Sequence, residues 1–83
     1  MEAIMPGWRD ALELLCEYWT QAEVAALVGR SDRAVRAWVA GAVEPEPAVK
    51  RRLVVLGGQV QAAIDAGADL DALYETVREG RVP

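Results

Sequence analysis

The sequence predicts an all-α fold, a compact bundle of about five short helices in one domain spanning residues 1–83. Three observations carry this. Apolar residues recur at three- and four-residue spacing along most of the chain. Glycine or proline stands where that periodicity breaks. The 83 residues, 53% of them hydrophobic, suffice for one small core, which all the helices must share.

Pro6-Gly7 ends a short N-terminal arm. From Trp8 onward, Trp8, Ala11, Leu12, Leu15 and Trp19 fall on one helical face with acidic residues between them, an amphipathic first helix. Thr20-Gln21-Ala22-Glu23 has the form of a capping box, in which hydroxyl and carboxylate reciprocally satisfy two backbone amides. The second helix it opens is expected to turn Val24, Ala25 and Val28 inward. Gly29 supplies the positive φ of a tight turn. Ser31 is an N-cap for a third helix, with Asp32 complementing the positive helix start. Val35, Trp38 and Val39 are expected to form its buried stripe, and Gly41 its stop.

Glu44-Pro45-Glu46-Pro47 is too rich in proline for a helix interior and predicts a rigid connection. Pro47 suits the first turn of a fourth helix running from about Ala48 to Ala66. Gly57-Gly58 would weaken that helix, and Leu53-Val54-Val55-Leu56 alone fits a strand as well as a helix. After Gly67, Asp69 caps a fifth helix whose apolar side is Leu70, Leu73, Tyr74 and Val77. In so short a chain that side either folds back on the bundle or meets a second copy. Gly80 and Pro83 close the chain.

Composition excludes several classes of function. With no histidine and only Cys16, an intramolecular disulfide is impossible and a zinc site would rest on carboxylates, a poor donor set for that metal. The missing histidine also removes the commonest general acid and base at neutral pH. No glycine-rich phosphate loop or nucleophile motif is present, and Asp69 and Asp71 fit a helix start better than a hydrolytic pair. No enzyme, metal or cofactor is therefore expected. No apolar run approaches the ~20 residues of a membrane span. The first residues lack the basic and apolar regions of a signal peptide, so a cytoplasmic protein is expected.

The net charge of −4 conceals an uneven distribution. Residues 1–19 set Arg9 against Glu2, Asp10, Glu13 and Glu17. Residues 53–83 set Arg78 and Arg81 against Asp65, Asp69, Asp71, Glu75 and Glu79. Each of these blocks carries −3, whereas residues 20–52 carry +2, with Arg30, Arg33, Arg36, Lys50, Arg51 and Arg52 against Glu23, Asp32, Glu44 and Glu46. Local charge decides where a polyanion docks, so the middle segment permits nucleic-acid binding.

The stretch from Thr20 to Gly41, TQAEVAALVGRSDRAVRAWVAG, carries the functional signal. Two short helices meeting at a glycine turn need a small residue where they cross, here Ala25. They need a turn residue without a side chain, here Gly29. The second helix must pack inward, through Val35 and Trp38 against Val24 and Val28. With Gln21 as position one, alanine is fifth, glycine ninth, valine fifteenth and tryptophan eighteenth. This pattern resembles the helix-turn-helix of the Cro/C1-type (XRE-like) phage and bacterial regulators. The match is specific over residues 20–41 and looser over the surrounding helices. Ser31-Asp32-Arg33, with Arg36 on the same face and Pro45 and Pro47 before another helix, is also similar to the small anti-CRISPR-associated repressors of phages.

The resemblance implies a bacterial or phage-encoded transcriptional regulator that lays residues 31–40 in the major groove of double-stranded DNA. Gln21 matches the family glutamine that anchors a phosphate at a helix N-terminus. Arg33 and Arg36, three apart and opposite Val35 and Trp38, are each suited to fork guanine O6 and N7, and Asp32 to accept from a cytosine amine. Ser31, Arg30, Lys50 and Arg51, with Arg52 beside them, are expected at phosphates. Arg30 departs from the apolar residue usual at that turn, and Asp32 from a glutamine that reads adenine in several members. Bland roles stay open alongside: Asp32 pairing with Arg36 one turn on, Lys50 to Arg52 as solvated surface, and Trp38 as core.

Such regulators commonly act as two-fold dimers on inverted repeats, and residues 53–79 are the expected dimerisation segment of an autorepressor. A different class keeps the fold and drops the DNA: the acidic ends suit a protein-binding module, either an inhibitor of a host enzyme or an antitoxin against a toxin.

Overall fold

The computed structural model describes residues 7–80. Pro6 and the arm before it, and Arg81 to Pro83, lie outside the described residues. Five helices follow in order: α1 (Trp8–Tyr18), α2 (Gln21–Val28), α3 (Asp32–Ala40), α4 (Pro47–Ala66) and α5 (Leu70–Arg78). There is no strand among the described residues, and the fold class is the all-α bundle that the periodicity predicts.

Local chemistry accounts for the helix ends. At the start of α2 the Thr20 hydroxyl accepts from the Glu23 amide at 3.1 Å, and the Glu23 carboxylate accepts from the Thr20 amide at 2.8 Å, completing the capping box. At the start of α3 the Ser31 hydroxyl accepts from the Ala34 amide at 3.1 Å. Asp69 caps α5 by accepting from the Asp71 amide. Pro47 occupies the first turn of α4, where an amide would have no partner within the helix.

The ambiguous run Leu53–Leu56 lies in the middle of α4, and Gly57-Gly58 does not interrupt it. The two glycines, a little over a quarter-turn apart around the helix, differ in burial: Gly57 is buried and Gly58 exposed. A Cβ at Gly57 would stand 2.8 Å from the Ala11 Cβ and 3.2 Å from its Cα, while one at Gly58 would meet nothing. Gly57 is therefore where α1 and α4 cross, and its missing side chain lets the two backbones approach. What reads in isolation as a weakness in α4 is a close approach of α1 and α4 in the core.

Around that crossing, Leu12, Leu15, Val24, Val35, Leu53, Leu56 and Val60 are sequestered from solvent. Apolar side chains removed from water in this way supply the main drive for folding so short a chain. The apolar side of α5 folds back on the bundle. Val77 is buried, Leu70, Leu73 and Tyr74 pack against the core, and the Tyr74 ring meets buried Trp19 edge-on at 5.5 Å.

Burial departs from the sequence pattern at three places. Val39, expected in the buried stripe of α3, is 48% exposed, because the inner side of α3 is completed by Val35 and Trp38 and Val39 lies at its edge, on an open groove that it lines with Arg9, Leu12 and Cys16 of α1. On α2 the residue buried beside Val24 and Ala25 is Leu27, whereas Val28 is half-buried. Trp8 is also half-buried, at the open first turn of α1, while Trp19 is buried just beyond the helix end. Cys16 is half-buried, and desolvation pushes its thiol pKa up, in keeping with a small apolar role. Among the described residues no helix is long and apolar enough to cross a membrane.

Candidate nucleic-acid interface

The candidate interface is built on α2, the turn and α3. Gly29 ends α2 in the left-handed region at φ 71°, where a side chain would be strained. Its amide and that of Arg30 both donate to the Ala25 carbonyl, closing the turn so that Ser31 starts the next helix directly. Buried Ala25 leaves room for the two helices to meet. Val35 and Trp38 then fix which side of α3 faces the core.

The opposite side of α3 presents Asp32, Arg33 and Arg36, all exposed. Among the described residues none of the three forms an ion pair or a side-chain hydrogen bond, so the pairing of Asp32 with Arg36 is not made. Ser31 supplies the side-chain cap, leaving Asp32 as a first-turn acid facing solvent. Two guanidiniums less than a turn apart, with no carboxylate to occupy them, form a surface able to donate to base edges or phosphates.

The remaining candidates separate into two groups. Arg30 is engaged: its Nε donates to Glu46 Oε1 at 3.1 Å, a second nitrogen pairs with the same oxygen, and Nη1 donates to the Gly29 carbonyl. Lys50 is engaged as well, its Nζ 2.6 Å from Glu44 Oε1 and 5.7 Å from the centre of the Trp8 ring. The Lys50 hydrogen bond and then its charge hold the Glu44 carboxyl below its ordinary pKa, and the charge of Arg9 adds to this. Arg51 and Arg52, in contrast, are exposed and without an anionic partner among the described residues. Gln21 is half-buried in the first turn of α2, beside the Thr20–Glu23 box.

Read from the sequence, Glu44 and Glu46 belong only to a rigid connection and to the charge balance, Arg9 only to that balance, and Val39 to the buried stripe of α3. Arg9 stacks over the Trp8 ring at 4.5 Å, so that ring carries cations from both α1 and α4. The Arg30–Glu46 pair joins residues sixteen apart, and Glu44–Lys50 crosses a proline-containing connection. The helical i,i+3 and i,i+4 rules find neither. Val39 sits at the edge of the buried sector of α3, where periodicity alone does not decide exposure.

Comparison with family models, with curated proteins and with solved structures returned no match. The bundle itself is consistent with a helix-turn-helix fold in general, and as a small helical bundle it is compatible with a DNA- or protein-binding regulatory module.

Proposed function

We propose that this chain is a DNA-binding regulatory module. More particularly, it is a sequence-specific transcriptional regulator of the Cro/C1 (XRE-like) kind that lays α3 in the major groove. Arg33 and Arg36 read guanines, and Asp32 meets a cytosine amine. Gln21, Ser31, Arg30, Lys50 and Arg51 lie along the flanking phosphates. The observation that carries this reading is the unpaired arginine face of α3, turned outward by buried Val35 and Trp38 behind the Gly29 turn.

The regulator acts in the cytoplasm without a cofactor, as a homodimer on an inverted repeat, repressing its own operon. Because the apolar side of α5 packs within the chain, the partner copy meets other residues of the 53–79 segment, such as Val54 and 52%-exposed Val55. The test is an anisotropy titration against the DNA upstream of its own gene at two salt concentrations, with an Arg33→Ala/Arg36→Ala variant in parallel. Tight, salt-sensitive binding to an inverted repeat, lost in the variant, is expected. Indifference between that DNA and random duplex at low salt would refute it.

A protein-binding role is favoured by a different observation. Trp8, Val54 and Val55 line a shallow apolar depression edged by Lys50 and Arg51, a surface suited to an acidic partner such as a toxin or a host enzyme. In that case the Arg33→Ala/Arg36→Ala variant would retain its partner in a pull-down, while Val55→Asp would lose it.

A further inference from the structure

The connection between α3 and α4 places one carboxylate on each of two cations that the DNA-binding reading assigns to phosphates. Glu46 is the N-cap residue of α4, yet its side chain makes no capping bond and turns instead to Arg30, the residue just before the α3 cap. Glu44 reaches forward to Lys50 in the first turns of α4. Between the two acids Pro45 is buried, and each glutamate directly precedes a proline, Pro45 or Pro47, which keeps its backbone extended. Arg30 and Lys50 each lie near a helix N-terminus, where the backbone adds positive potential. The acids therefore neutralise two points otherwise well suited to an anion, and leave Arg33, Arg36, Arg51 and Arg52 uncovered.

We propose that Glu44 and Glu46 are specificity-determining residues that suppress binding to non-cognate DNA by occupying Lys50 and Arg30. This inference rests on the DNA-binding reading. Sequence-independent affinity comes almost entirely from cations that displace counterions from phosphates. A cation already paired with a carboxylate contributes little to that term, and the carboxylate repels the approaching strand. Exposed ion pairs of this kind are individually weak. On a cognate site, where α3 fixes the register, phosphates can displace the glutamates. On random duplex nothing offsets the exchange.

The experiment compares wild type, Glu44→Gln/Glu46→Gln and a charge-matched control, Asp65→Asn/Asp71→Asn. In the control Asp65 lies fifteen residues beyond Lys50, roughly 22 Å along α4 at the helical rise. Each protein is titrated into labelled random-sequence duplex and into the duplex from upstream of its own gene, from about 50 to about 200 mM salt. The Glu44→Gln/Glu46→Gln variant is expected to bind random duplex about tenfold tighter at the lower salt, with a log–log salt slope steeper by about one to two units. Its affinity for the cognate duplex should change less, so the specificity ratio falls. Adding Arg30→Gln/Lys50→Gln to that variant should abolish the gain.

Equal tightening by the control would overturn the proposal, because total charge would then suffice. So would an unchanged affinity of the Glu44→Gln/Glu46→Gln variant for random duplex while wild type still prefers its own upstream DNA. If wild type binds neither duplex at low salt, the DNA-binding reading fails and this inference fails with it, a result visible in the wild-type titration alone.

Discussion

Helices α1 and α4 approach until Gly57 touches Ala11, whereas α2 and α3 are joined by a closed turn and capped at their starts by Thr20 and Ser31. The first pair includes Leu12, Leu15, Leu53, Leu56 and Val60, all of them buried. The second pair buries Val24, Ala25, Leu27, Val35 and Trp38 but leaves one whole side of α3 to solvent, with Arg33 and Arg36 on it. The difference shows a division of labour within 83 residues. One pair of helices holds the fold through close packing. The other is joined by caps and a turn and leaves one face of α3 exposed.

Substitutions that affect one pair and spare the other probe that division. The largest effect is expected from Leu53→Ala. It removes a side chain wholly buried in α4 and should cost about 2–5 kcal/mol in urea unfolding. A loss below that range would mean that the α1–α4 contact is not the main support. Gly57→Ala comes next. Alanine is the better helix former, but its Cβ would stand 2.8 Å from the Ala11 Cβ and 3.2 Å from its Cα, so a net destabilisation of about 1–3 kcal/mol is expected. A stabilised Gly57→Ala protein would show that the helices do not cross so closely.

On the other pair the expected balance is reversed. On the proposed DNA-binding function, Arg33→Ala and Arg36→Ala should each weaken operator binding by about 1–3 kcal/mol and relax preference at one base pair, while moving the unfolding midpoint little, since both are exposed and unpaired among the described residues. If either lowered stability as much as Gly57→Ala, α3 would not be a free surface. Ser31→Ala, which removes the cap of α3, should cost ~1 kcal/mol of stability. The smallest effect is a gain. Gly58→Ala, on the open side of α4, should stabilise the protein by roughly 0.5–1 kcal/mol. Measured together with Gly57→Ala, it gives opposite signs at adjacent glycines, an outcome that helix propensity alone would not produce.

The parts legible in the sequence are those governed by near neighbours. The capping box at Thr20, the Ser31 and Asp69 caps, the Gly29 and Gly41 stops and the Ala11, Leu12 and Leu15 part of the amphipathic stripe of α1 depend on interactions spanning about four residues, and they stand where the pattern places them. The outward direction of Arg33 and Arg36 follows from the same periodicity once Val35 and Trp38 are assigned to the core. Elements without a strong local signal were harder. Leu53–Leu56 fits two secondary structures because four apolar residues satisfy either period, and only the helical turns on both sides select one.

Taken alone, the sequence determined the number of helices, their starts and stops and the polar face of α3, because caps, turns and helical spacing act over one or two turns of chain. Tertiary structure alone decided that Gly57 is a crossing point and not a flaw, and that the apolar side of α5 folds back onto Trp19. It likewise decided that Val39 stays exposed, and that Arg30 and Lys50 are held by Glu46 and Glu44 while their neighbours are not. Each of these outcomes depends on which surface another element covers or which charge another segment brings near, and such contacts leave no periodic trace in the chain that makes them.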